Sequence, residues 1–244
     1  MSRFFEELAR ATTPMGDIVL RRRLEPTLQV DIFEVMLGGE GLMSSLITDG
    51  EEALATIGLA ATSGDSLHVA VGGLGLGYTA RAALRDSRVV VLHVVDALEV
   101  VIDWHRRHLV PLGPEVAGDP RCELVHGDFV ALVDAELPLN AGAPMRYDAL
   151  LVDIDHSPRD LLDESHASFY EPAGLRRVVA QLQPGGVFAL WSNDPPDDEF
   201  LLALQSEFAT ATAEVVAFPN VLTGRQSTST IYVATSAVSG EPTS

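Results

Sequence analysis

From Leu67 to Trp191 short apolar runs alternate with segments of helical periodicity, and this alternation restricts the fold more than any other feature of the chain. The apolar runs are Leu67–Val71, Val89–Val95, Cys122–His126, Ala149–Val152 and Val187–Trp191. Helical segments fall at Tyr78–Leu84, Leu98–His108, Phe129–Asp134, Pro172–Leu182 and Asp197–Phe208. Near-continuous apolar strands separated by helices predict a parallel sheet covered on both faces. Two later runs, Glu214–Phe218 and Thr228–Ala234, extend that sheet, the last as an antiparallel partner at its edge. Ahead of it, Ile18–Leu24 and Leu28–Leu37 read as strands of a small antiparallel sheet, and Glu51–Ala61 as a helix. The chain therefore divides into a β-rich segment over 1–50, an α/β domain over 51–235 and a polar tail over 236–244 that is expected to be disordered, with a Pro/Gly/Ala loop at 137–144.

The 244 residues, 47% of them hydrophobic, suffice for a sizeable core. A formal charge of −19 repels phosphate backbones and anionic lipid, so neither nucleic acid nor membrane is an expected partner, whereas a cationic small molecule would be drawn in. The single cysteine, Cys122, rules out an internal disulfide and fits a reducing, cytoplasmic compartment. Residues Met1–Arg10 carry both charge signs without an apolar core, so no signal peptide is expected, and no run is long and apolar enough to span a bilayer. Arg21, Arg22 and Arg23 form the one basic run; on a strand they alternate faces and read as a solvated edge rather than a flat basic patch.

The chemistry concentrates where the strands end. The segment His68–Ala80 runs from an apolar strand through a glycine-rich turn into a helix. Its Gly72, Gly73, Gly75 and Gly77 leave bare backbone for a ligand, and the helix offers unpaired N–H groups. The spacing is G-x-G-x-G; Tyr78 stands where a dinucleotide loop places a small residue. In sheets of this kind ligands lie at the carboxyl ends of the strands, near the point where strand order reverses. Those ends are acidic here: Asp96 after the second strand, Asp128 after the third, Asp153 and Asp155 after the fourth. Asp96, about twenty residues beyond the glycine loop, has the spacing of a ribose-diol acceptor. Asp128 suits either a ligand or the cap of the helix that follows.

Together the glycine loop, Asp96, Gly127-Asp128, Tyr147–Asp153 and Leu182–Phe188 resemble the class I S-adenosylmethionine-dependent methyltransferase fold, a Rossmann-like, doubly wound, mostly parallel sheet. The likeness is closer to the spermidine synthases, or polyamine aminopropyltransferases, within that superfamily. It rests on Tyr147-Asp148, Asp153-Ile-Asp155-His-Ser-Pro158, Phe169-Tyr170 and Pro184-Gly-Gly186, in the family's order, and on the small β-rich segment before the glycine loop. What the resemblance implies is transfer of an aminopropyl group from decarboxylated S-adenosylmethionine to a small-molecule amine, in a homodimer and without a metal. It implies that Asp153 is the catalytic carboxylate, that Asp155 helps hold the amine, that Asp128 and Phe129 face the adenine, and that Asp96 holds the ribose. The chain departs from the family at Gly75, where an aspartate grips the aminopropyl ammonium, at Val94-Val95-Asp96, where the family has Glu-x-Asp, and at His156, where the family's second acid is displaced here to Asp155.

Gly75 in that place also admits ordinary S-adenosylmethionine and hence a methyltransferase, and a third reading is a nucleoside-binding protein without turnover. His105 and His108 have a spacing that could put both rings on one helix face, but no third ligand is near them in sequence. Asp153, Asp155 and His156 at a strand end point to different sides, which suits an amine better than a metal. Cys122 begins a buried strand and reads as a small hydrophobe, and Trp104 and Trp191 as packing residues, the latter close to the expected pocket.

Overall fold

The computed structural model describes residues 5–135 and 146–238. The loop expected at 137–144 and the tail from 239 onward lie outside the described residues. Two sheets are built. The first is a four-stranded antiparallel meander, β1 (Phe5–Thr13), β2 (Gly16–Glu25), β3 (Val30–Leu37) and β4 (Glu40–Ser44), in that spatial order. The sequence reading found β2 and β3. β3 begins two residues later than expected because the Glu25 carboxylate accepts from Thr27 N and the Glu25 carbonyl from Gln29 N, closing a turn. The arginine run occupies an interior strand rather than an edge, since β1 covers it: Arg21 and Arg23 both reach Glu34 on β3, while Arg22 reaches Glu6 on β1.

The helix α1 (Asp49–Ala60) leads into the main domain: β5 (Leu67–Gly72), α2 (Tyr78–Arg85), β6 (Val89–Asp96), α3 (Glu99–Arg106), the short α4 (Gly113–Val116), β7 (Cys122–His126), α5 (Phe129–Asp134), β8 (Tyr147–Val152), a 3-10 turn (Glu164–Tyr170), α6 (Pro172–Ala180), β9 (Leu182–Ser192), α7 (Asp198–Glu207), β10 (Thr210–Asn220) and β11 (Arg225–Thr235). The order across the sheet is β10-β11-β9-β8-β5-β6-β7. Strands β7, β6, β5, β8 and β9 are parallel, and the order reverses at β5. β11 is antiparallel, as the sequence suggested, but it is inserted between β9 and β10 and so is an interior strand; β10 forms the edge. The helix expected to reach Leu182 stops at Ala180, because Leu182 already pairs with Tyr147 and Gly185, at φ +77, carries the Pro-Gly-Gly bulge inside β9. Ser236 and Ala237 are tied to that bulge, Ser236 N donating to Gly186 O and Gly185 N to Ala237 O.

Helices α1 to α4 pack on one face of the sheet and α5 to α7 on the other, each layer closing its own buried cluster. Ile18, Leu20 and Val35 of the small sheet join the first cluster together with Leu54 and Leu59 of α1. That shared core fixes the meander over the carboxyl ends of the parallel strands, where it walls the crevice created by the strand-order reversal.

Candidate functional site

A cavity of about 340 Å³ opens at the carboxyl ends of β5, β6 and β8, between the glycine loop and the small antiparallel sheet. The glycine loop forms its floor. Gly73 (φ +95) takes a conformation open to glycine, and a methyl group there would fall on the Asp153 carbonyl oxygen. A Cβ at Gly75 (φ +50) would stand 2.9 Å from Met43 Sδ of β4, so a thioether covers the place where a side chain could project. Gly77 packs on the ring of His105, and Gly72 on Phe129. Gly72 stands apart from the cavity wall; Gly73, Gly75 and Gly77 line it.

The loop is held from beneath by side chains. Asp96 accepts from Leu74 N at 3.0 Å with one oxygen and from Leu98 N at 2.8 Å with the other. Burial raises its pKa above the ordinary carboxylate value against these donors. His105 Nε2 lies 3.0 Å from Gly75 O, and burial pushes its pKa down to about 4, so the neutral ring donates to that carbonyl. The His105 ring is therefore committed to the loop rather than to a metal shared with His108, and among the described residues no group of three ligating side chains assembles.

Asp153 follows β8, its N–H bonded to Gly72 O and its Oδ2 accepting from Thr79 Oγ1 at 2.8 Å. The same hydroxyl lies 3.3 Å from the backbone carbonyl of Glu51, which brings the start of α1 up to Asp153. Glu51 and Asp153 both line the cavity. Burial raises both pKa values, and the Asp153 charge raises that of Glu51 further. Sequence reasoning passed over Glu51. An acid in the first turn of a helix has an ordinary role beside the helix dipole, and nothing in its spacing points at a strand end 102 residues away.

Asp155 is 3% exposed, and its carboxylate accepts from Leu162 N (2.7 Å), His166 Nδ1 (3.0 Å) and Tyr170 Oη (2.6 Å). These bonds spend its acceptor capacity on the 153–170 loop, which is why it reaches the cavity as a loop anchor more than as a free charge. Tyr170 and Phe169 are buried beneath that loop. Asp128 caps α5, accepting from Ala131 N at 3.1 Å, and also borders the cavity beside the buried Phe129. The Tyr147-Asp148 pair lies at the opposite end of β8: Tyr147 Oη meets His93 Nδ1 at 2.7 Å and Asp148 accepts from His68 N. Burial pushes the Cys122 thiol up to about 12, so it is no nucleophile.

No protein-family model matches the chain. Among curated proteins it is 29% identical over 146 residues to polyamine aminopropyltransferase 2 of Pseudomonas aeruginosa, a match covering 57% of this chain and 38% of the relative. It is 34% identical over 127 residues to polyamine aminopropyltransferase of Prochlorococcus marinus, covering 52% and 41%. The chain thus spans about two fifths of the length of these relatives. In structure it is similar to a spermidine synthase in complex with the transition state analogue AdoDATO (TM-score 0.71, 18% identity, 95% of this chain and 74% of that one) and to the spermidine synthase of Thermotoga maritima (0.69, 17%, 94% and 72%). Human methyltransferase-like protein 13 in complex with SAH shares the fold more distantly (0.56, 16%, 80% and 85%). Over about half its length the chain is similar in sequence to polyamine aminopropyltransferases, and over nearly all of it it shares the fold of spermidine synthases, which is the class I methyltransferase-like fold.

Proposed function

We propose that the chain transfers an aminopropyl group from decarboxylated S-adenosylmethionine to an amine. The observation that carries the reading is Asp153: a half-buried carboxylate of raised pKa, at the carboxyl end of β8, facing a cavity floored by bare glycine backbone. A group with its pKa lifted toward neutrality is suited to take a proton from an ammonium. The deprotonated nitrogen then attacks the carbon bound to sulfur. The C–N bond forms as the C–S bond breaks, its electron pair returns to sulfur as a neutral thioether, and the nitrogen leaves as a secondary ammonium. The sulfonium is a good leaving group without an acid, so the residues need only align the partners and remove one proton.

For the donor, Asp96 would receive the ribose hydroxyls on the lone pairs its backbone donors leave open, with Phe129 and Asp128 beside the adenine and Gly73, Gly75 and Gly77 along the sulfonium arm. Asp155 would position the 153–170 loop rather than touch the amine. The absence of a charged side chain at Gly75, where Met43 stands instead, favours a second reading, methyl transfer from intact S-adenosylmethionine, because no carboxylate repels that donor's own. Calorimetric titration with decarboxylated S-adenosylmethionine, S-adenosylmethionine and methylthioadenosine, repeated on Asp153→Asn, separates them. Preference for the decarboxylated donor is expected; preference for the intact one transfers the assignment to methyl transfer, and silence with all three removes both.

A further inference from the structure

We propose that Glu51 is the group that receives the acceptor's cation, beside Asp153, and that the acceptor is a primary amine with one positive charge and an apolar body. The proposal rests on the amine-transfer reading above and deepens it. It follows from asking which carboxylates of the cavity are still open to a ligand. Asp96 holds two backbone N–H groups, Asp155 holds three donors from its own loop, and Asp128 and Asp163 cap helical turns through Ala131 N and Ser165 N. Asp153 has a single donor, Thr79. The Glu51 carboxylate is met by its own backbone N–H alone, with no side-chain donor among the described residues.

Two carboxyl groups from different elements thus converge on one end of the cavity with an unmet demand for hydrogen-bond donors. An ammonium supplies three donors and one positive charge, which is the complement of such a pair. Its positive charge would also offset the desolvation that raises both pKa values and the Asp153 charge that raises that of Glu51 further. The cavity is also lined by Met15, Leu37, Leu42 and Met43 of the small sheet and by Trp191 of β9. These side chains offer hydrocarbon, thioether and the indole N–H of Trp191, itself a donor, with no second anion. A far ammonium lying against them would be buried without a partner, whereas an alkyl or aryl body would gain from the contact.

The test compares n-hexylamine with 1,6-diaminohexane, which differ in the second amino group, by calorimetry on protein saturated with methylthioadenosine. The wild-type chain is expected to bind the monoamine about tenfold more tightly than the diamine. Glu51→Gln should weaken the monoamine about tenfold while its affinity for methylthioadenosine and its melting temperature stay near wild type, and Glu51→Asp should recover part of the loss. Equal or tighter binding of the diamine overturns the monoamine assignment, and unchanged monoamine binding by Glu51→Gln overturns the role of Glu51; in both cases methylthioadenosine binding shows that the nucleoside site itself stands. Failure of methylthioadenosine to bind the wild type refutes the underlying reading and the proposal with it.

Discussion

Placing an aspartate at position 75 should convert the donor preference of the site into a measurable switch. The backbone there has φ +50, a left-handed conformation that costs an ordinary residue about 1–2 kcal/mol but that aspartate tolerates better than most. The new Cβ would lie 2.9 Å from Met43 Sδ, part of a flexible side chain, so Gly75→Asp is best made alone and with Met43→Ala, which vacates that space. A carboxylate about 4 Å from the donor's ammonium is worth at most about 4 kcal/mol at the effective dielectric of a protein surface. After desolvation and side-chain ordering about 1.5 kcal/mol should survive, roughly tenfold in affinity. Intact S-adenosylmethionine adds a carboxylate of its own beside the same ammonium and should gain less or lose. Titration of both donors into wild type, Gly75→Asp and the double variant reads the ratio directly. The reasoning predicts a shift of about tenfold toward the decarboxylated donor, largest in the double variant. A ratio that stays within a factor of about two, in variants whose melting shows them folded, would refute the placement of Gly75 beside the transferable group.

Tyr170→Phe removes the 2.6 Å donor to Asp155 and leaves a buried carboxylate oxygen underserved, at a cost of about 1.5–3 kcal/mol; differential scanning calorimetry should show a melting temperature lower by about 3–12 °C, and no change would contradict the loop-anchor role. The Asp155 contact raises the pKa of His166 in the folded chain. Its stabilisation is therefore complete below the unfolded histidine value of about 6.5 and is lost as pH rises through the raised folded value, so denaturant midpoints should fall over that window in wild type and not in His166→Gln. His105→Phe keeps the ring volume but removes the donor to Gly75 O, and methylthioadenosine binding should weaken about fivefold, an effect of about 1 kcal/mol; unchanged affinity would show that the loop needs no such support.

The parallel core was legible because its strands are buried on both faces and read as unbroken apolar runs, from Val69-Ala-Val71 to Leu150-Leu-Val152. β1 was not, since Phe5–Thr13 alternates exposed and half-buried positions and carries two glutamates and an arginine; its neighbours, rather than its own composition, make it a strand. The insertion of β11 between β9 and β10 depends on long-range pairing that no local pattern encodes. That Asp96, Asp128, Asp153, Gly73, Gly75 and Gly77 border the cavity was legible because strand ends impose fixed offsets in sequence, whereas Gly72 stands behind it. Glu51 and Met43 were missed because they reach the cavity from α1 and β4 through tertiary packing alone, as was Thr79 of α2, which holds Asp153 from the buried side. Asp155 was visible as an acid in the right place, but its capture by His166 and Tyr170 was not, since that depends on how the intervening loop folds back.

Mass-spectrometric analysis of products after incubation with decarboxylated S-adenosylmethionine and n-hexylamine tests the central claim most directly, with S-adenosylmethionine supplied in a parallel reaction. The account predicts methylthioadenosine and N-aminopropylated hexylamine in the first reaction, both abolished by Asp153→Asn. Methylated amine with S-adenosylhomocysteine in the second reaction, and no product in the first, would contradict it.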